Sequence, residues 1–158
     1  MSEVPQVKDA KTEQKRFVDK GPMVVFDAKT NTYWMKKDSW QDKGKFLNWH
    51  ESREFANNKN ARKVGGFSDW RLPTADEARS LYDPSLVNAG KGGAQLHIDV
   101  IFPEGAFKSI WLAGDTSTRR PRFDCSDGKV VSVDEYSFGA ARLCRKELNR
   151  AEKEKRRN

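Results

Sequence analysis

Gly65-Gly66-Phe67-Ser68-Asp69-Trp70-Arg71-Leu72-Pro73-Thr74 is the stretch on which the fold turns. A double glycine opens backbone angles that other residues avoid, and a proline then fixes the approach to whatever follows. Between them lie two large rings, a carboxylate and a guanidinium. A connector this rich in rings packs under something, so Gly65, Gly66, Asp69, Trp70, Arg71 and Pro73 read as scaffold, with Trp70 and Phe67 burying area and Arg71 holding a carboxylate or loop carbonyls by its planar fork.

Helices flank this connector. Upstream, Asn48 and Glu51 have the spacing of a reciprocal cap, which starts a helix ending near Asn57–Asn60 with Trp49, Phe55 and Ala56 on one face. Downstream, Thr74 and Glu77 repeat the pattern, Ala78, Leu81 and Tyr82 make an apolar stripe, and Asp83-Pro84 stops it. Further upstream, Met23-Val24-Val25-Phe26-Asp27 and Thr32-Tyr33-Trp34-Met35 bracket the turn residues Lys29-Thr30-Asn31 and form a β-hairpin. The segment from Asp38 to Lys45 reads as a polar loop.

Residues 85–109 lack periodicity and read as a long loop region tucked down by Leu96, Ile98, Val100, Ile101 and Phe102. The last third returns to strands. Ile110-Trp111-Leu112-Ala113 is one; Arg122–Cys125 and Lys129–Val133 flank Asp127-Gly128, a strong hairpin signal; Ala140–Arg145 is another.

The 158 residues suit one domain with tails, and 36% hydrophobic against 34% charged residues points to polar ends. Residues 1–20 form a polar N-terminal arm of net charge +1, residues 21–145 the domain, and residues 146–158 a charged C-terminal tail. The run 145–158 carries +4 of the chain's +7, leaving the middle close to neutral. Its glutamates interleave with the basic residues, which favours a solvated helix over nucleic-acid binding. No apolar run reaches the roughly 20 residues of a membrane span. Met1–Lys20 lacks the apolar stretch of a secretion signal. The sequence as written therefore reads as cytoplasmic, and as periplasmic or extracellular if a signal was removed beforehand.

Taken together, Asp27-x-x-Thr30-x-x-x-Trp34, the ringed helix with Trp49 and Phe55, the connector through Glu77, and Ala141-Arg142-Leu143-Cys144-Arg145 resemble the C-terminal domain family of the Legionella collagen-like adhesin. The resemblance implies an α+β, C-type-lectin-like fold: two helices packed on a small twisted antiparallel sheet, with a long loop region as the variable surface. It further implies carbohydrate or protein binding, sulfated polysaccharides among the ligands, and kinship with the formylglycine-generating enzyme. Fold kinship alone does not assign a function.

The site residues are weighed on their own chemistry. Lys108 with Arg119, Arg120 and Arg122, set on a loop before a strand, would grip sulfate, phosphate or an acidic protein surface; a charged hairpin edge is the competing reading. Trp40 and Tyr136, with Phe138, are candidate exposed aromatics for a partner. Cys125 and Cys144 are either a disulfide across neighbouring strands, worth roughly 3 kcal/mol, or inert buried thiols, or, by analogy with the enzyme relative, a reactive pair. His50 and His97 are far apart and match no metal motif, and the carboxylate signatures of calcium-dependent lectins are missing. The expectation is a non-enzymatic binding or assembly module without cofactor or metal, docking onto a protein partner through its basic loop and charged tails. Its alternatives are an exported receptor for an anionic glycan and, more remotely, a cysteine-dependent oxidising enzyme.

Overall fold

The computed structural model describes residues 15–114 and 118–148. Among the described residues the chain is a mixed α+β body with three small antiparallel sheets and three α-helices, where the expectation was two helices on one sheet. The first sheet has the order β1-β2-β3-β9, from Phe17–Asp19, Val24–Asp27, Thr32–Met35 and Cys144–Lys146. Its central hairpin is the expected one, closing with Asp27 opposite Thr32. Asp27 is buried and receives the Arg16 guanidinium through two 2.8 Å hydrogen bonds, with further bonds from Thr30 Oγ1 and the Lys29 amide.

That clamp, with Phe17 set edge-on to Phe102, draws residues 17–19 into the sheet as β1. The ordered body therefore begins before Gly21, inside the segment expected to be an arm. At the other end β9 runs to Lys146. Most of both expected tails, residues 1–14 and 149–158, lies outside the described residues, as do Thr116 and Ser117.

A second sheet runs β6-β7-β8, from Ser109–Trp111, Arg119–Asp124 and Lys129–Asp134, and its hairpin turns at Asp127-Gly128 as the sequence predicts. Ala140–Leu143 is not the strand expected there. Ala140 makes a single parallel bridge to Ile110, and only from Cys144 does the chain pair as β9. Between the helices and β6, Asn88–Ala89 and Gln95–Leu96 form the two-stranded β4-β5. Leu96, Ile98 and Phe102 anchor this region in the core, whereas Val100, expected beside them, is 76% exposed.

Each helix carries a reciprocal cap. α2 (Trp49–Ala61) has Asn48 and Glu51; α3 (Ala75–Leu81) has Thr74 and Glu77. The segment expected to be a loop contains α1 (Ser39–Lys43), capped in the same way by Asp38 and Gln41 and ended by Gly44 in the left-handed region. The core divides into two clusters, one around Trp34, Phe102 and Phe123 and one around Trp49, Trp70 and Trp111.

The connector is scaffold, and its polar atoms show how. Gly65 and Gly66 have φ of 66° and 88°, and a Cβ on Gly65 would lie 2.8 Å from the buried Val24 side chain. Trp70 is buried. Its indole nitrogen donates to Val64 O, and its main chain is held in both directions by the Asn60 amide side chain at 2.6 and 2.9 Å. Arg71 exchanges both main-chain bonds with Cys144 at 3.0 and 2.9 Å. Its guanidinium meets Glu77 fork to fork at 2.7 and 2.9 Å. Asp69, mostly exposed, accepts from Arg145 Nε at 2.6 Å. The burial expected for the whole stretch is thus confined to Trp70, Leu72 and Pro73.

Burial raises the Glu77 carboxyl, but the Arg71 hydrogen bonds, the Thr74 amide and the Arg71 charge outweigh it, taking the group from its ordinary 4.5 to about 2. Because the folded value lies below the unfolded one, the stabilisation is complete above about pH 4.5 and disappears as pH falls through about 2. Glu77→Gln should lose on the order of 2–3 kcal/mol at pH 7 and flatten the acid limb in that window. Urea unfolding across pH 2–7 checks this; parallel curves for the two proteins would refute it.

Candidate functional site

Four aromatic rings from distant parts of the chain meet on one face. Phe46 stacks with Trp40, at 4.8 Å and 21°, and with Phe138, at 5.6 Å and 22°. Phe107 tilts against Phe46 at 4.7 Å. Phe138 is 67% exposed and nearby Tyr136 65% exposed, while the other three rings are half-buried.

Local chemistry brings these rings together. Asp38, fully buried, caps α1 and also accepts from the Phe107 amide at 2.8 Å, so one carboxylate fixes the helix bearing Trp40 and the residue bearing Phe107. Burial pushes its carboxyl above the usual range, against the opposing pull of Arg142 and the amides. Gln41 completes the cap and donates to Pro103 O and Glu104 O, both at 3.0 Å. Leu47 and Gly139 exchange main-chain bonds at 2.9 and 3.0 Å, tying the segment of Phe46 to that of Phe138. Arg122 Nη1 donates to the Phe138 carbonyl.

Lys91 Nζ is 4.6 Å from the Trp40 centroid and 5.6 Å from that of Phe46. With those rings only 4.8 Å apart, the ammonium sits beside the stack and does not cap it. A second cluster continues the face. Tyr136 leans on His50 at 5.5 Å, His50 Nε2 meets Glu135 Oε1 at 2.5 Å, and the Arg120 guanidinium lies 3.8 Å above Trp49 and 3.8 Å from the same carboxylate oxygen.

Of the sequence-predicted candidates, Trp40 stacks on Phe46, Tyr136 lies against His50, and Lys108 is exposed next to Phe107 in the chain. The arginine grip is not assembled. Arg119, Arg120 and Arg122 belong to β7 and not to a loop, and strand alternation sends Arg119 to the opposite face from the other two. Arg120 is 8% exposed and committed to Trp49, and Arg122 is turned onto Phe138 O. Arg119 donates to Ser132 O. Since Leu112 N donates to Pro121 O, the Pro121 peptide faces β6, and Ser132, paired with Pro121, turns its carbonyl to the open edge of β8. Arg119 thus blunts an edge strand. Phe46, Phe107 and Lys91 were missed, because no spacing in the sequence links positions 46, 91, 107 and 138.

Cys125 and Cys144 do not pair. Cys125 follows β7 and Cys144 opens β9, strands of different sheets, and both are buried free thiols. Burial pushes the Cys125 thiol up to about 12. Cys144 is pushed higher by burial and by the Glu77 carboxylate, whose Oε1 lies 3.5 Å from its sulfur. His97 Nδ1 contacts Leu86 O and its ring stands edge-on to Tyr82, an ordinary packed position. Among the described residues no three His, Cys, Asp or Glu side chains converge as a metal site, and no helix is long and apolar enough to cross a membrane.

Two outcomes are expected. A Cβ at Gly139 would lie 2.5 Å from Trp111 Nε1, which donates to Leu47 O, so Gly139→Ala should cost about 1–3 kcal/mol and alter the near-UV circular dichroism of the ring stack. An unchanged melt and spectrum would contradict this. Both thiols should stay unreactive toward a disulfide reagent at pH 8 in the native protein and react stoichiometrically in urea; rapid native labelling would show the burial to be wrong.

The same architecture organises the comparison with known proteins. No curated protein matches the chain. The model of the Lcl C-terminal domain matches residues 23–145, from just before β2 through the connector and both capped flanking helices into β9. That span holds the connector, the ring stack and the β7-β8 hairpin, and covers most of the sequence: the chain belongs to the Lcl C-terminal domain family.

Proposed function

We propose that this adhesin-related module is a non-enzymatic docking domain of C-type-lectin-like architecture, which holds a protein partner on the face built by Trp40, Phe46, Phe107 and Phe138. The observation that carries the reading is the ring stack itself. Phe138, left mostly in water, forgoes about 1.5–3 kcal/mol of burial, and aromatic anchors held in one conformation are the residues that dominate protein interfaces. Stack, cap and bridge fix these rings before any partner arrives, which lowers the ordering cost of association.

The alternatives are less well supported. An anionic glycan would be gripped by bidentate guanidinium forks, yet Arg120 and Arg122 are turned inward onto Trp49 and Phe138. A cysteine-based oxidation would need an accessible thiolate, which burial of both sulfurs opposes.

A photo-crosslinking amino acid placed at Phe138 should yield protein adducts of discrete mass in extracts of the source. The same group at Val18, 38% exposed on β1, a strand that carries none of these rings, should not. Identical adduct patterns at the two positions, or adducts digested by glycosidases and not by protease, would overturn the reading.

A further inference from the structure

A pocket of about 310 Å3 opens between α2 and the segment that follows α1, and Lys43, Lys45, Leu47, Glu51, Glu54 and Phe55 line it. That volume lies at the small end of the roughly 300–1,000 Å3 typical of pockets that take a single small molecule. Its charges come from two separate stretches of chain. Glu51 and Glu54 stand on α2 with Phe55 and Asn58, a spacing of i, i+3, i+4 and i+7 that puts all four on one side of the helix. Lys43 ends α1, and Lys45 follows the left-handed turn at Gly44. The floor is apolar, since the Leu47 and Phe55 that line it are only 4% and 5% exposed.

The supports are in place before any ligand arrives. Leu47 exchanges main-chain bonds with Gly139, and Glu51 Oε1 accepts from the Asn48 amide at 2.8 Å. The Lys59 ammonium near the Phe55 ring is already neutralised by Asp42 at 2.7 Å. Lys43, Lys45 and Glu54, in contrast, make no ion pair within 4.0 Å among the described residues, and neither lysine comes that close to Glu51. Two cations and two carboxylates therefore share one pocket over an apolar floor without closing on each other.

This arrangement selects by charge and by length. The pocket's charges sum to zero, so a simple anion or a simple cation is repelled by one pair as it is attracted by the other, whereas a ligand carrying both signs gains from each. Because the opposed groups stand apart, the ligand's own charges must be held apart too. An α-amino acid carries both on one carbon, and an ω-amino acid separates them with methylenes that bury against Leu47 and Phe55.

We propose that this pocket is a site for small ω-zwitterions, with the ligand's hydrocarbon on Leu47 and Phe55, its carboxylate at Lys43 and Lys45, and its ammonium at Glu51 and Glu54. The site is independent of the aromatic docking face and stands or falls separately from it.

Titration of the full chain, followed by amide and side-chain NMR shifts, tests this with the ω-amino acids from aminobutanoate to aminooctanoate. Affinity on the order of millimolar is expected from solvent-facing ion pairs and one apolar contact, with shifts centred on residues 43–58 and an optimum at an intermediate chain length. Hexanoate, hexylamine and norleucine, the α isomer of aminohexanoate, should each bind more weakly, and added salt should weaken the best ligand. Lys45→Gln and Glu54→Gln should each reduce its affinity roughly two- to fivefold, the contribution of one exposed ion pair. Both positions are exposed, so unchanged melting temperatures are expected of the variants. Equal binding of norleucine, hexanoate or hexylamine, affinity indifferent to chain length or to both substitutions, or no shift at the pocket would overturn the assignment.

Discussion

The pairing of Arg71 with Cys144 is the contact on which the rest of the body depends. It joins the connector between α2 and α3 to the last strand of the first sheet, residues 73 positions apart, through two main-chain hydrogen bonds. The Arg71 side chain then reaches Glu77, which also caps α3, so one residue sets sheet closure and helix orientation together. The thiol beneath it fits this arrangement. Cys144 is small and apolar enough to lie in the core, and the adjacent carboxylate opposes ionisation. The densest motif of the sequence is therefore structural, and the chemistry that faces solvent lies elsewhere.

On the solvent side, a buried carboxylate plays the corresponding part. Asp38 ends one turn and begins another element, and its second oxygen holds the Phe107 amide from a distant loop. Together with the Leu47 and Gly139 bridge, this converts separately flexible aromatic segments into an ordered stack. The stack is held by main-chain bonds and a capped helix, and not by ring attraction alone. Phe138 is the most exposed ring of the stack.

The arginines of β7 show how a sequence motif can disperse in space. Arg119, Arg120 and Arg122 are neighbours along the chain, but a strand turns successive side chains to opposite faces. One therefore protects a sheet edge, one lies over an indole, and one pins a loop carbonyl. A contiguous cluster in a helix or loop would have stayed together.

Local chemistry determined a large part of this protein by itself: the caps at Asn48 and Thr74, the hairpins at Asn31 and Gly128, the connector, and the family they jointly identify all depend on residues within a few positions of one another. The cap at Asp38 and Gln41 has the same spacing and was legible too, though its five-residue helix lacks the apolar stripe that draws attention to the other two. Tertiary structure alone decided the rest. Phe46 meets Phe138, Phe17 meets Phe102, and the two cysteines fall in different sheets because strand order and long-range bridges, which no local pattern encodes, determine which segments become neighbours.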